Sequence, residues 1–261
     1  ILVIPLGVLG AAIATLIAQA VSAVLVTVTL MYRTEGMKLC LSQIRMYKRM
    51  LQSILKIGLP AGFEAIMYSI SNIIVQVSIN NFGVDTMAAW TAYSKIDFIF
   101  WMINSAFGIS VMTFVGQNYG AGKWDRIRRG TKICLGMALI SAVSVSIILM
   151  SAERFLFGIF VNDAGVVEIG IHMMNVIAPA YLLFAFIEVF SGALRAQGAV
   201  VVSTLITMVG ICVLRMIWVT LVAAHGTLEQ VIICYPITWA AGALAMSIYY
   251  IYKQRKIFQA R

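Results

Sequence analysis

Two glutamates stand inside apolar stretches where a charge is expensive to keep. Glu64 lies in IGLPAGFEAIMYSISNIIVQ, eight residues after Lys56, and Glu188 lies in FIEVFSGALRAQG, seven residues before Arg195. At 1.5 Å per helical residue, each carboxyl sits about 10–12 Å inside the boundary that the basic residue marks. Two carboxyls at one depth on facing helices can share a cation or retain a proton, and each can instead pair with a nearby base. A second polar layer lies near the opposite boundary, with Lys95 and Asp97 early in the third apolar stretch, His172 early in the fifth and Arg215 late in the sixth. Asp97 and Arg215 are expected to form a structural ion pair, because either alone in hydrocarbon is costly. His172 is a candidate proton relay or a hydrogen-bonded packing residue. Asn72, Gln76 and Asn80 recur every four residues, one helical face that either lines a cavity or bonds to neighbouring helices.

Aromatic residues accompany these groups: Tyr68, Trp90, Tyr93, Phe98, Trp101, Tyr181 and Phe184. Their ring faces suit flat organic cations, and the 15 methionines offer adaptable walls. Tyr68, Trp101, Tyr181 and His172 join the amide stripe as candidate cavity-lining residues. The sequence shows no nucleophile beside a base, no metal-spaced His/Cys set and no GxxxxGK[ST] phosphate loop. Neither an enzyme nor a bound cofactor or metal is therefore expected, and work done by the chain would draw on an ion gradient. The four cysteines (Cys40, Cys134, Cys212 and Cys234) lie singly and read as structural thiols.

The elements that must position these groups are membrane helices. Of 261 residues, 62% are hydrophobic and 11% charged, and the mean hydropathy is +0.96. A water-soluble domain of this size could not cover so much apolar surface. Segments near 3–32, 57–82, 87–117, 131–151, 166–190, 199–223 and 230–252 are each long and apolar enough to span about 30 Å of hydrocarbon. All are expected to be helices, because a lone span in lipid must satisfy its own backbone; the alternation of a β-barrel is absent. The expected fold is an all-α polytopic membrane protein of about seven transmembrane helices.

Charge sets the expected orientation. Arg33, Lys38, Arg45, Lys48, Arg49 and Lys56 follow the first span, and Lys123, Arg126, Arg128, Arg129 and Lys132 follow the third. Arg195 follows the fifth, and Lys253, Arg255, Lys256 and Arg261 follow the last. These fall on one side, which the positive-inside rule makes cytoplasmic, with the C-terminus. The net charge of +9 thus reports topology and not nucleic-acid binding. Between the first two spans, Ile44, Tyr47, Leu51, Ile54 and Leu55 share one helical stripe, so 37–56 is expected to be an amphipathic interfacial helix, either a plain linker or a coupling element.

The first span, GVLGAAIATLIAQAVSAVLVTVTLMY, echoes the last, GTLEQVIICYPITWAAGALAMSIYYIY; both open on glycine and close on tyrosine before basic residues. Such an echo fits the parallel repeats of transporters. Three stretches then fall in order: IGLPAGFEAIMYSISNIIVQ (57–76), FGISVMTFVGQNYGAGKWDRIRRG (107–130) and FIEVFSGALRAQG (186–198). Together they resemble the multidrug and toxic compound extrusion (MATE) family, the run VGQNYGAG before a basic segment being the most specific. The resemblance implies two six-helix lobes, of which this chain would hold the last helix of the first (1–32), a cytoplasmic linker (33–56) and the second lobe (57–261). The chain opens in apolar sequence without an initiator Met or a signal-peptide pattern, which fits a fragment whose first lobe is missing. The resemblance further implies a cell-membrane antiporter, the inner membrane in bacteria, that exports drugs or organic cations in exchange for H+ or Na+. Its coupling candidates are Glu64 and Glu188, and its partners are the lipid bilayer, small organic substrates and the missing first lobe. One departure stands out. Some members carry the second-lobe cation-site glutamate seven residues after the Gly-x-Pro proline, where this chain has Met67; its nearest acid, Glu64, is four after Pro60. A lipid-linked saccharide flippase of the same superfamily and a seven-helix receptor are the alternative readings. The first predicts more basic residues along its cavity, the second a complete ligand-binding bundle.

Overall fold

A computed structural model of the chain describes residues 7–32, 39–40, 42, 45–222 and 226–259. Arg33, Lys38, Ile44 and Arg261 lie outside the described residues. Those described fold into helices: α1 (Gly7–Tyr32), α2 (Lys48–Asn80), α3 (Val84–Gly120), α4 (Trp124–Ser151), the short α5 (Glu153–Gly158), α6 (Ala164–Ile177), α7 (Tyr181–Ala196), α8 (Val200–Thr207), α9 (Leu214–Ile217), α10 (Leu228–Ile232) and α11 (Cys234–Gln259). A 3-10 turn, Ala178–Ala180, joins α6 to α7, and π-helical turns, Met208–Val213 and Trp218–Val222, bracket α9. Among the described residues, seven stretches are long and apolar enough to cross a membrane: Ala12–Tyr32, Lys48–Asn80, Val84–Gly120, Trp124–Ser151, Ala164–Ala196, Val200–Val222 and Leu228–Ile257. The protein is an all-α polytopic membrane protein.

The chain divides into two compact units, Ile1–Ile54 and Leu55–Arg261. In the first, α1 is apolar around its whole circumference, with Leu16, Ile17, Val21 and Leu25 all exposed, as a span in lipid requires. Of the helix expected over 37–56, residues 37–38, 41 and 43–44 lie outside the described residues, and from Lys48 onwards the chain is helical and continuous as α2. Pro60 accordingly lies inside α2 and not in its opening turn. Its missing N–H leaves the Lys56 carbonyl without the usual i→i−4 bond.

The second unit is turned inside out relative to a soluble protein. Ile133, Ile140, Ile147, Leu205, Leu244 and Ile248 are exposed on its surface. Its interior mixes large side chains such as Trp239, Phe100 and Met173 with alanines, serines and threonines. Small residues let helices approach closely where lipid offers no hydrophobic drive. The α3–α7 crossing is especially tight. A methyl group on Gly192 would stand 2.7 Å from the Gly108 carbonyl oxygen and 2.9 Å from Val111 Cγ1.

Two glycines in the turns have a backbone role. Gly122 follows α3 with φ 68°; its N–H donates to the Tyr119 carbonyl at 3.1 Å, and Lys123 N–H donates to the Asn118 carbonyl at 2.9 Å. Gly198 follows α7 with φ 77° and the same pair of bonds, Gly198 to Arg195 at 3.0 Å and Ala199 to Leu194 at 2.9 Å. Both are Schellman endings, in which the left-handed residue turns the chain sharply and satisfies the last carbonyls. The bond from Gly198 fixes the backbone of Arg195, whose side chain reaches into the first cavity described below.

Candidate functional site

Two helices bring charge to one cavity of about 330 Å³. From α2 comes Glu64, which is 7% exposed. From α7 come Glu188 and Arg195, with Tyr68, Trp101, Phe184 and Gly108 completing the part of the wall that matters here. Arg195 Nη2 donates to both Glu64 oxygens, at 2.7 and 2.8 Å. The Thr204 hydroxyl of α8 donates to Glu64 Oε2 at 2.9 Å. Glu64 is thus held by a charged and a neutral donor on two different helices. Glu188 has no such donor. Its carboxyl lies flush against Gly108, where any Cβ would collide with Glu188 Oε1. Among the described residues it has neither an ion pair nor a hydrogen bond. A second carboxylate thus stands beside a satisfied pair and lines the cavity.

Arg195 was expected in a cytoplasmic loop. It lies instead in the last turn of α7 with its side chain folded inwards to Glu64. The signal for this was its spacing from Glu188: seven residues are two helical turns, so both project from one face. Thr204 had no such signal.

A second cavity of about 320 Å³ lies behind Trp101, which lines both. Its walls include Asn72, Gln76, Trp90, Tyr93, Asp97, Tyr235 and Trp239. Trp101 Nε1 donates to Asp97 Oδ2 at 2.6 Å, and the Tyr181 hydroxyl donates to Asp97 Oδ1. Tyr181 is fully buried, stacked on Phe100 with ring centroids 3.9 Å apart, and its oxygen is 3.1 Å from that of Tyr93.

Several expectations need correction. Asp97 and Arg215 do not pair; among the described residues the ion pairs are Arg154–Glu168 and Arg195–Glu64. Asp97 finds its donors in Trp101 and Tyr181. The guanidinium of Arg215, which is 2% exposed, lies over the Tyr235 ring at 4.2 Å and donates to Asn72 Oδ1 at 3.2 Å. The π-helical turns flanking α9 change its register, so depth alone misplaces the side chain. Tyr181 lines neither cavity, being the support behind Asp97. His172 is exposed on α6 and lines neither cavity, because its neighbours Ile171, Met173 and Met174 take the buried face. The amide stripe divides: Asn72 and Gln76 line the second cavity and not that of Glu64, while Asn80 is exposed and accepts from Gln76 Nε2 at 2.8 Å.

The family model described as MatE matches residues 60–221, which contain the charged groups of both cavities. The chain belongs to the MatE family. It is 25% identical over 260 residues to the probable multidrug resistance protein YoeA of Bacillus subtilis, covering 97% of this chain and 56% of that protein. It is 23% identical over 232 residues to the multidrug export protein MepA of Staphylococcus saprophyticus, covering 84% and 51%. Among solved structures, an outward-facing multidrug resistance MATE family transporter of the MOP superfamily superimposes with a TM-score of 0.87 at 18% identity, covering 97% of this chain and 58% of that one. The chain thus spans about half the length of the curated relatives it matches. MatE membership replaces the receptor reading. Four glycines of the three resembling stretches also acquire physical reasons: Gly108 receives Glu188, Gly130 receives the Phe114 ring, and Gly122 and Gly198 turn the chain.

Proposed function

We propose that residues 57–261 act as one six-helix lobe of a cation-coupled exporter, with 33–56 as linker and 1–32 as a helix of the adjoining lobe. In a polypeptide of the relatives' length, this machine would expel drugs or other organic cations in exchange for H+ or Na+, with the basic ends and the C-terminus in the cytoplasm. The observation that carries the reading is the cavity carboxylate Glu188, unpaired beside the Glu64–Arg195 pair. A proton or Na+ arriving there meets two carboxylates already at one depth, one of which must exchange its arginine for the newcomer. Charge sense points the same way. The cavity walls present Glu64, Glu188 and Asp97 against Arg195, which suits cations and not the anionic substrate of a saccharide flippase. Trp90, Tyr93, Trp101 and Tyr235 around Asp97 add ring faces for flat cations. The names of YoeA and MepA support drug export.

The test is Glu64→Gln in the full-length transporter, reconstituted with a fluorescent organic cation inside and an imposed H+ or Na+ gradient. The amide keeps the shape of the side chain and loses its titration and charge. Gradient-driven efflux should be abolished at unchanged expression. Wild-type rates and unaltered ion dependence would place coupling elsewhere.

A further inference from the structure

A third cavity, of about 340 Å³, lies outside both sites described above. Its wall is made by Arg128 and Lys132 from the first turns of α4 and by Tyr250, Ile251, Gln254 and Arg255 from the last turns of α11. Arg128 and Lys132 are four residues apart and therefore share a helix face. Arg255 approaches from the facing helix. Among the described residues no carboxylate lines this cleft, and neither Lys132 nor Arg255 joins an ion pair.

The cleft is built and not a chance meeting of surface bases. Gln254 is buried and donates to Gln197 Oε1 at 3.0 Å, while Lys253 Nζ donates to the Gln197 carbonyl at 3.0 Å. Both bonds tie the end of α11 to the α7–α8 turn that Gly198 shapes. Tyr250 stacks on Phe190 with centroids 4.5 Å apart and planes within 16°. The mouth of the cleft is apolar on one side: Ile251 lines it and is 50% exposed, and Ile248, about one turn earlier on α11, is also exposed.

We propose that this cleft binds the phosphodiester headgroup of an anionic phospholipid, with its acyl chains lying along Ile251 and Ile248. Guanidinium forks and an ammonium grip phosphate oxygens through charge-assisted hydrogen bonds, and basic clefts between helices at a membrane surface favour anionic lipids. A free phosphate would use the bases and leave the apolar rim idle, so the rim selects the lipid.

Native mass spectrometry of the 261-residue chain in detergent, titrated in turn with phosphatidylglycerol, phosphatidylcholine and inorganic phosphate, tests this. One phosphatidylglycerol should be retained in preference to the other two. Each base near the surface contributes about 1 kcal/mol, so the triple variant Arg128→Gln, Lys132→Gln, Arg255→Gln should bind about a hundredfold more weakly. The control Arg45→Gln, Lys48→Gln, Arg49→Gln removes equal charge and should keep the lipid. If the triple variant fails to fold, Arg255→Gln alone, at an exposed position, should weaken binding about fivefold. Equal loss in the control, no loss in the cleft variants, or equally tight binding of phosphatidylcholine or of inorganic phosphate would overturn the assignment.

Discussion

Removing Arg195 should cost more than removing its partner, and removing both should cost less than removing Arg195 alone. In Arg195→Gln the Glu64 carboxylate, 7% exposed, loses both contacts from Nη2 and keeps only the Thr204 hydroxyl at 2.9 Å. Breaking a fully buried pair from one side costs about 3–5 kcal/mol. The Arg195 side chain is 30% exposed, so the cavity admits water that partly hydrates the orphan, and about 2–3 kcal/mol is the expected loss. In Glu64→Gln, Thr204 and Arg195 still have an oxygen to donate to and only the charge is lost, about 1 kcal/mol. The double variant no longer leaves Glu64 as an orphaned charge, and Glu188 is the same in both proteins, so it should be about 1 kcal/mol more stable than Arg195→Gln. The assay is thermal or denaturant unfolding of the four proteins in one detergent, each with intact helical content. For a chain of this size 1 kcal/mol moves the midpoint by about 2–4 °C. The proposed coupling adds a second readout, since Na+ should substitute for the lost guanidinium. At about tenfold above its Kd, Na+ would return about 1.4 kcal/mol to Arg195→Gln and less to the double variant, which keeps Glu188 but not the Glu64 charge, with choline as control. A double variant no more stable than Arg195→Gln would refute the reasoning, because Glu64 would then not be an orphaned charge.

Gly192→Ala should lose about 1–3 kcal/mol, because its Cβ would stand 2.7 Å from the Gly108 carbonyl and backbone cannot swing aside; Gly136→Ala, which meets open space, should be neutral or slightly stabilising by melting temperature. Tyr181→Phe removes the hydroxyl between Asp97 and Tyr93 and should cost about 1–3 kcal/mol. In a double-mutant cycle with Asp97→Asn the two losses should be less than additive, and strict additivity would show that the bond contributes nothing.

What the sequence made legible was set by the length scale of each signal. The spans were readable because a run of about 20 apolar residues suits a membrane helix and little else, and counting along two helices pointed to the meeting of Glu64 and Glu188 in one cavity. Arg195 was hidden because a base at the end of a span reads first as a snorkelling boundary residue, although its two-turn spacing from Glu188 was in view. The Asp97–Arg215 pairing failed for a different reason. Depth places two groups in a layer but not on facing sides, and Asp97 had a donor four residues along its own helix in Trp101. Arg215 lies between π-helical turns, where the 3.6-residue period used to place a side chain no longer holds. His172 was misplaced although a signal was present: Glu168 and Asn175, four residues before and three after it, share its face of α6, and all three are exposed.

The α3–α7 crossing explains why the unpaired carboxylate faces the cavity at all. Glu188 precedes Gly192 by one helical turn, and Gly192 is pressed against the Gly108 backbone. That contact brings the α3 surface so near that Glu188 has no room on that side; its carboxyl lies against Gly108 and has only the cavity to point into. About three turns before Gly192, the same helix starts at Tyr181, which holds Asp97 of α3 from behind. One pair of helices therefore fixes a carboxylate in each cavity, with Trp101 as the shared wall between them. Sliding α3 along α7 would disturb the surroundings of both carboxylates. Under the function proposed above, a cation bound at Glu188 and an organic cation at Asp97 would then each feel the other's presence through this crossing.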